Sequence, residues 1–239
     1  MADNRARFFP WATALERDRP SRVTLSRDQI VDAALRVMDE EGLDALSMRR
    51  LGQELNSGAT SLYWHIRNKD ELLDLVLDRV IGDVVPEMPT GAGWRETADA
   101  TARALRTVLL RHRGVAPVMG ERPTFGPNAL QALEIMLTPF VAEGFTPENA
   151  LLASTTLINW ASSFVVFEVR DPVGPSASDE DRAAFVAEFQ AFVATLPVER
   201  YPTTLALLPY GAALSGDQQF DYGLERLLDG IEDYQAGPR

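Results

Sequence analysis

Between Ser47 and Lys69 the chain reads SMRRLGQELNSGATSLYWHIRNK, a window rich in side chains able to hold a polyanion. Arg49 can grip a guanine edge through two parallel hydrogen bonds. Thr60 and Ser61 can donate to a phosphate or a base, Tyr63 and His65 to a phosphate, and Lys69 can neutralise one. The chemistry on offer is reversible recognition of a nucleic acid.

Those residues need elements that hold them outward. Ser47 is a good helix N-cap, because its hydroxyl can satisfy an orphan backbone N–H. Leu51 and Leu55 follow at helical spacing, and Asn56-Ser57-Gly58 is a turn composition that accommodates positive φ. The spacing then predicts a second helix over Ala59–His65. It has too few apolar positions to be buried all round, so Thr60, Ser61, Tyr63, Trp64 and His65 cannot all point inward. Two short helices around a tight turn, the second showing polar and aromatic groups, make the shape of a major-groove reader. Upstream, Ser26-Arg27-Asp28-Gln29 is a capping box. Ile30, Ala34, Val37 and Met38 continue that helix until Gly42. Downstream, Leu73, Val76, Leu77, Val80 and Val84 carry a long helix from Lys69 to Pro86. No proline lies between Pro20 and Pro86 to interrupt this series.

The net charge of −12 argues against a nucleic-acid partner until its distribution is considered. Residues 1–70 hold 11 Lys/Arg and 11 Asp/Glu, so all of the acidity falls on residues 71–239. A balanced head can still present a basic face. Residues Met1–Arg22 are the most basic stretch, with five arginines against three acids and with Phe8, Phe9 and Trp11 interleaved. An arm along the minor groove and an unused leader are both readings of it. The first twenty residues lack the apolar run of a secretory signal. The absence of cysteine excludes disulfides and thiolate chemistry and suits the cytoplasm. Two histidines 47 residues apart, one lysine and no phosphate-binding loop or nucleophile elbow argue against an enzyme. Asn149–Phe167 has no charge, but Ser154, Thr155, Thr156, Asn159, Ser162 and Ser163 interrupt it. It is expected as a buried bundle helix, not a membrane span.

Past Pro86–Gly93 the pattern stays helical: about Arg95–Arg113, Pro127–Glu143 and Glu148–Arg170. Val115–Phe125 is expected as a short irregular piece and Asp171–Asp179 as a loop. Phe185, Phe189, Phe192, Val193 and Leu196 mark one more apolar face. Phe220, Leu224, Leu227, Leu228 and Ile231 mark the last. An all-α protein of nine or ten helices is expected, without internal repeats.

The run Leu25–Lys69, with its TSLYWHIRNKDELLD, resembles the DNA-binding domain of the tetracycline-repressor (TetR) family. LRHRGVAPVMGERPT (110–124) and EGFTPENAL (143–151) resemble the core domain of the tetracycline repressor's own branch. The resemblance implies a three-helix helix-turn-helix DNA-binding head over residues 22–70, preceded by the basic extension 1–21. Residues 71–239 would be a helical ligand-binding and dimerisation domain. It implies that Met48, Arg49, Ala59, Thr60, Ser61, Tyr63, Trp64 and His65 meet a double-stranded operator, with Lys69 on a phosphate. Ala59 cannot hydrogen-bond and fits a thymine methyl. For Tyr63 and Trp64, packing in the small head's core is the competing reading.

The same resemblance sets expectations for an effector. Tetracycline-binding members hold drug-bound magnesium through a histidine in the segment matching Ala116–Glu121, and here that segment has none. The effector is therefore expected to be metal-free, bulky and mainly apolar or aromatic, and no cofactor is expected. Leu105, Met119, Met136, Trp160, Phe164 and Phe167 are expected around it, with Arg122 or Glu168 as a polar anchor. Core filling is the competing reading for the six apolar residues, and a helix-end charge facing water for Glu168. Pairing of Glu148–Arg170 and Phe220–Ile231 with their copies would give a homodimer. The function expected is ligand-responsive repression. The alternative is a constitutive or architectural DNA-binding protein without an effector.

Overall fold

The structure is a computed structural model that describes residues 25–119, 125–170 and 178–236. Among these residues the chain is all α, with eleven α-helices and no strand. The first four are α1 (Arg27–Glu41), α2 (Met48–Glu54), α3 (Ala59–Leu62) and α4 (Lys69–Val84). The capping box at Ser26 forms, with the Ser26 N–H donating to Gln29 Oε1 at 2.9 Å and the Gln29 N–H to Ser26 Oγ at 3.1 Å. Ser47 caps α2 through the Arg50 N–H at 3.1 Å. The turn after α2 is made by Asn56, whose φ of 48° is the left-handed conformation that asparagine tolerates. Gly58 has an ordinary φ of −69° and is the N-cap of α3. Ile30, Ala34, Val37 and Met38 meet Leu51, Leu62, Ile66, Leu72 and Val76 in the buried core of this head.

The larger part consists of α5 (Trp94–Arg111), α6 (Ala116–Met119), α7 (Pro127–Ala142), α8 (Pro147–Glu168), α9 (Asp179–Ala194), α10 (Pro202–Ala213) and α11 (Gly216–Ala236). Helix α8 is long and apolar enough to cross a membrane by length and composition. It packs instead against α5, α7 and α11. Trp94, Phe140 and Phe145 form one aromatic cluster, with ring centroids 4.9 to 5.4 Å apart. Phe220, Leu224, Leu228 and Ile231 give α11 the expected buried stripe.

The helix count exceeds expectation because of α6 and α10. Helix α6 is a single turn inside the segment expected to be irregular. Helix α10 contains Pro209 and is apolar all round, so no amphipathic period announces it. Helix α9 forms over the expected stripe, but none of its residues is buried in the chain, and Phe185, Phe189 and Phe192 stand exposed.

Head and body are joined by α4, which packs against α1 on one side and against α5 and α7 on the other. Asp78, only 4% exposed, ties α4 to the body. Helix α7 begins at Gly126-Pro127, where Pro127 has no N–H and Gly126 has no side chain to cap with. Asp78 supplies the cap from another helix, accepting from the Ala129 N–H at 2.9 Å and the Asn128 N–H at 3.3 Å. The Asn128 side chain donates to the same carboxylate at 3.0 Å. A Cβ on Gly126 would lie 2.1 Å from Asp78 Oδ1, so the approach requires glycine. A second junction lies at the end of α5, where a Cβ on Gly114 would lie 2.1 Å from the Met38 carbonyl oxygen of α1. Next to it, His112 Nδ1 is 2.7 Å from Asp39 Oδ2 of the head, and His112 Nε2 is 3.7 Å from Asp83 Oδ2 of α4.

Replacing Asp78 by Ala should lower the unfolding free energy by about 1–3 kcal/mol, since it strands buried N–H donors at a helix start. Chemical denaturation with intrinsic fluorescence measures this. An unchanged midpoint would mean that the cap contributes nothing.

Candidate nucleic-acid face and ligand cavity

Most of the head's candidate contacts reach the surface. Arg49, Thr60, Ser61 and Lys69 are exposed, while Met48 and His65 are half-buried. Trp64 is 82% exposed and Tyr63 53%, so neither fills the head's core, which Leu62 and Ile66 occupy instead. The side chain of Ala59 lies outside the described atoms. The helix expected over Ala59–His65 is regular only to Leu62. Beyond it the chain tightens into turns, with the Trp64 N–H donating to Ser61 O at 3.3 Å and the His65 N–H to Leu62 O at 2.9 Å.

Arg27 explains that early end. Its guanidinium donates to the His65 carbonyl at 2.9 Å through Nη2 and at 3.3 Å through Nε. It also pairs with Glu71 at 3.2 Å. Glu71, buried in the first turn of α4, accepts from the Arg67 N–H at 2.8 Å and from Arg67 Nε at 3.1 Å. Its own N–H is capped by Asn68 Oδ1 at 2.8 Å. This network fixes the peptide that presents Tyr63, Trp64 and His65. Sequence reasoning did not select Arg27 or Glu71, although Asn68-x-x-Glu71 carries the residue types of a helix start. Of the two arginines in α2, Arg50 is committed to structure. It pairs with Glu54 at 3.1 Å and with Glu41, whose carboxyl its hydrogen bonds hold below the usual carboxylate range. Arg49 points to solvent beside Gln53 and Asn56.

The body holds a cavity of about 500 Å³. Leu105 of α5, Met119 of α6 and Met136 of α7 line it as expected, together with Leu133 and Phe125. Ile81 and Val84, from the far end of α4, complete the apolar wall. Thr101, Asn159, Ser162 and Ser163 form the polar part.

Four expected lining residues sit elsewhere. Trp160 and Phe164 pack on Phe220 of α11, with ring centroids 5.0 and 5.2 Å away. Phe167 is 74% exposed, on the outside of α8. Glu168 is held by Arg106, which donates through Nε at 2.9 Å and through Nη2 at 2.5 Å. Arg106 also pairs with Asp217 at 2.7 Å and lies 4.8 Å over the Phe220 ring. Glu168 is thus a strut between α5 and α8. The error has a geometric cause: aromatic residues at helical spacing identify an apolar face, not whether it meets a neighbour helix or a hole. Arg122 falls outside the described residues. The polar lining was readable as the hydroxyls interrupting the apolar run 149–167, which sequence reading used only against a membrane span.

Comparison with known proteins identifies the family of both parts of the chain. Residues 30–76 match the family model described as bacterial regulatory proteins, tetR family. Residues 85–234 match the tetracyclin repressor-like C-terminal domain. The HTH-type transcriptional repressor DrrR1 of Streptomyces coeruleorubidus is 34% identical over 229 residues, covering 93% of this chain and 83% of its own. The tetracycline repressor protein class D of Escherichia coli is 31% identical over 212 residues, covering 87% and 89%. Among solved structures, the Streptomyces coelicolor TetR family protein ActR in complex with actinorhodin superposes with a TM-score of 0.76. That pair is 33% identical, with 90% of this chain and 99% of that one covered.

Glu71→Ala should speed amide exchange at His65–Arg67 by about tenfold or more while leaving the middle of α1 protected, because Arg27 and the Arg67 N–H lose their shared acceptor. Unchanged exchange at those amides would show that the turn is held by other contacts.

Proposed function

Because the chain belongs to the tetracycline-repressor family of bacterial transcriptional regulators, we propose that it represses transcription by binding an inverted-repeat operator as a homodimer. A small molecule in the body's cavity makes it let go. The observation that carries this reading is the placement of α4. Leu72 and Val76, toward its start, belong to the head's core, while Ile81 and Val84, toward its end, form cavity wall. A ligand that favours one setting of α4 changes where the head points, and occupancy then shifts the population of binding-competent dimers.

One head offers too few contacts for tight binding, and two heads on one dimer match a repeated half-site. Leu151, Leu152 and Phe167 of α8 and Tyr222 and Tyr234 of α11 leave an apolar surface that supports pairing with a second copy. The exposed faces of α9 and α10 support the same arrangement. We place Arg49 on a base edge, Thr60, Ser61, Tyr63, Trp64 and His65 along the groove and its phosphates, and Lys69 on a flanking phosphate. The acidic body repels DNA elsewhere. An operator on the chromosome puts the protein in the cytoplasm.

The effector reading rests on Leu105, Met119, Met136, Ile81 and Val84, which suit a bulky aromatic body. About 200 Å² of buried apolar ligand surface contributes roughly 5 kcal/mol before the entropic cost of binding. That ActR is known in complex with actinorhodin supports a small-molecule effector for this chain. A tetracycline-borne magnesium does not fit the described walls, whose polar groups are amide and hydroxyl, without carboxylate or imidazole.

Selection of bound genomic fragments tests the operator and should return an inverted repeat with half-site centres about one helical turn apart. Fragments without such symmetry would contradict the dimer reading. On that duplex Arg49→Ala should cost about 1–3 kcal/mol of specific binding and little non-specific binding. Lys69→Ala should weaken both and lower the salt slope by about one. Tetracycline with magnesium should leave the operator bound, and a chelator should not alter the response to the true inducer. Release that requires magnesium would refute the metal-free cavity.

A further inference from the structure

Ser162 is 3% exposed, lines the cavity, and its Oγ has no hydrogen-bond partner among the described residues. A buried serine in a helix normally turns back onto a carbonyl of the preceding turn. Ser154, two turns earlier in α8, does so, donating to Leu151 O at 3.0 Å. Across the cavity Thr101 does the same, donating to Thr97 O at 2.7 Å, which leaves its oxygen only lone pairs to offer. Buried hydroxyls are rarely left unpaired, and one enclosed in a cavity's wall marks a place for a missing partner.

Asn159 stands three residues before Ser162 and four before Ser163, so one face of α8 lines the cavity with an amide side chain and two serines. The walls around that face are apolar, and none of the described lining residues carries a charge. Building on the reading of this cavity as the effector site, we infer that its effector is an uncharged, flat molecule with a hydrogen-bonding edge read by Ser162, Asn159 and Ser163. A carbonyl next to a hydroxyl suits that edge. Ser162 and Asn159 can donate to the carbonyl, and Thr101 can accept from a hydroxyl. Of the two polar anchors expected for a mainly apolar ligand, Arg122 or Glu168, Glu168 is taken up by Arg106, and this edge supplies a polar contact in its place.

The test uses the full chain and three flat probes of similar size: chrysazin (a dihydroxyanthraquinone), anthracene and anthraquinone sulfonate. Affinity is read by fluorescence titration. The wild-type protein should bind chrysazin about tenfold or more tighter than anthracene, and the sulfonate more weakly than chrysazin. Ser162→Ala should weaken chrysazin about five- to tenfold without weakening anthracene, because only the polar probe loses a partner. Asn159→Leu, at an exposed position of α8, should narrow the same gap. Equal binding of chrysazin and anthracene by the wild type, no binding of chrysazin, tighter binding of the sulfonate, or unchanged chrysazin affinity in both variants overturns the inference. Ala132→Trp, which fills the cavity, separates this from the underlying reading. If Ala132→Trp abolishes probe binding, the cavity stands as the ligand site whatever the edge does. Binding that survives it overturns the cavity itself.

Discussion

Helix α4 has to satisfy two hydrophobic surroundings at once, and the rest of the molecule is arranged around that requirement. Sixteen residues span about 24 Å, enough to run from the head to the body but too short to bend between them independently. Its early turns contribute Leu72, Leu73 and Val76 to the head. Its late turns contribute Ile81 and Val84 to the cavity wall. A rigid element shared in this way cannot move at one end without moving at the other. That is the physical content of coupling between a ligand and a DNA-binding face in the proposed account.

Polar contacts decide where the helix is gripped. Asp78 fixes its middle to the start of α7, through donors that no local residue could satisfy. Glu71 fixes its first turn to Arg27 and to the peptide presenting Trp64. Near its far end, Asp83 lies by His112, which in turn holds Asp39 of α1. The close approach of Gly114 to Met38 brings the end of α5 against the head as well. These contacts are few and directional, so a shift of α4 exchanges a small set of hydrogen bonds instead of melting a broad interface. Exposed pairs such as Arg79 with Asp83 add little to stability by comparison.

Local signals in the sequence were dependable where local chemistry decides the outcome. Ser26, Ser47 and Asn56 cap and turn as their side chains dictate, and Ile30, Leu51 and Phe220 are buried where period and composition place them. The exposure of Trp64 was open in the sequence, because a tryptophan suits either a core or a groove. It became legible only once Leu62 and Ile66 were seen to fill the head. In the body, Leu105, Met119 and Met136 were identified for the cavity, whereas Trp160, Phe164 and Phe167 were not separated from ordinary packing or outer-face residues. Glu168 and Arg106 are 62 residues apart, and no spacing rule predicts their pairing. The polar lining was visible as composition, but its role depends on which face of α8 meets the hole, a tertiary fact.

The central claim, that cavity occupancy resets the head through α4, can be measured as a distance between the two heads of a dimer. The chain has no cysteine, so Asp44→Cys on the exposed turn after α1 gives a single spin-label site per subunit. Pulsed electron spin resonance should give one distance distribution for the free protein and a displaced one with the compound that releases the operator. Operator DNA should favour a distribution distinct from that of the ligand-bound state. Identical head-to-head distributions with and without a ligand that releases the duplex would contradict the account.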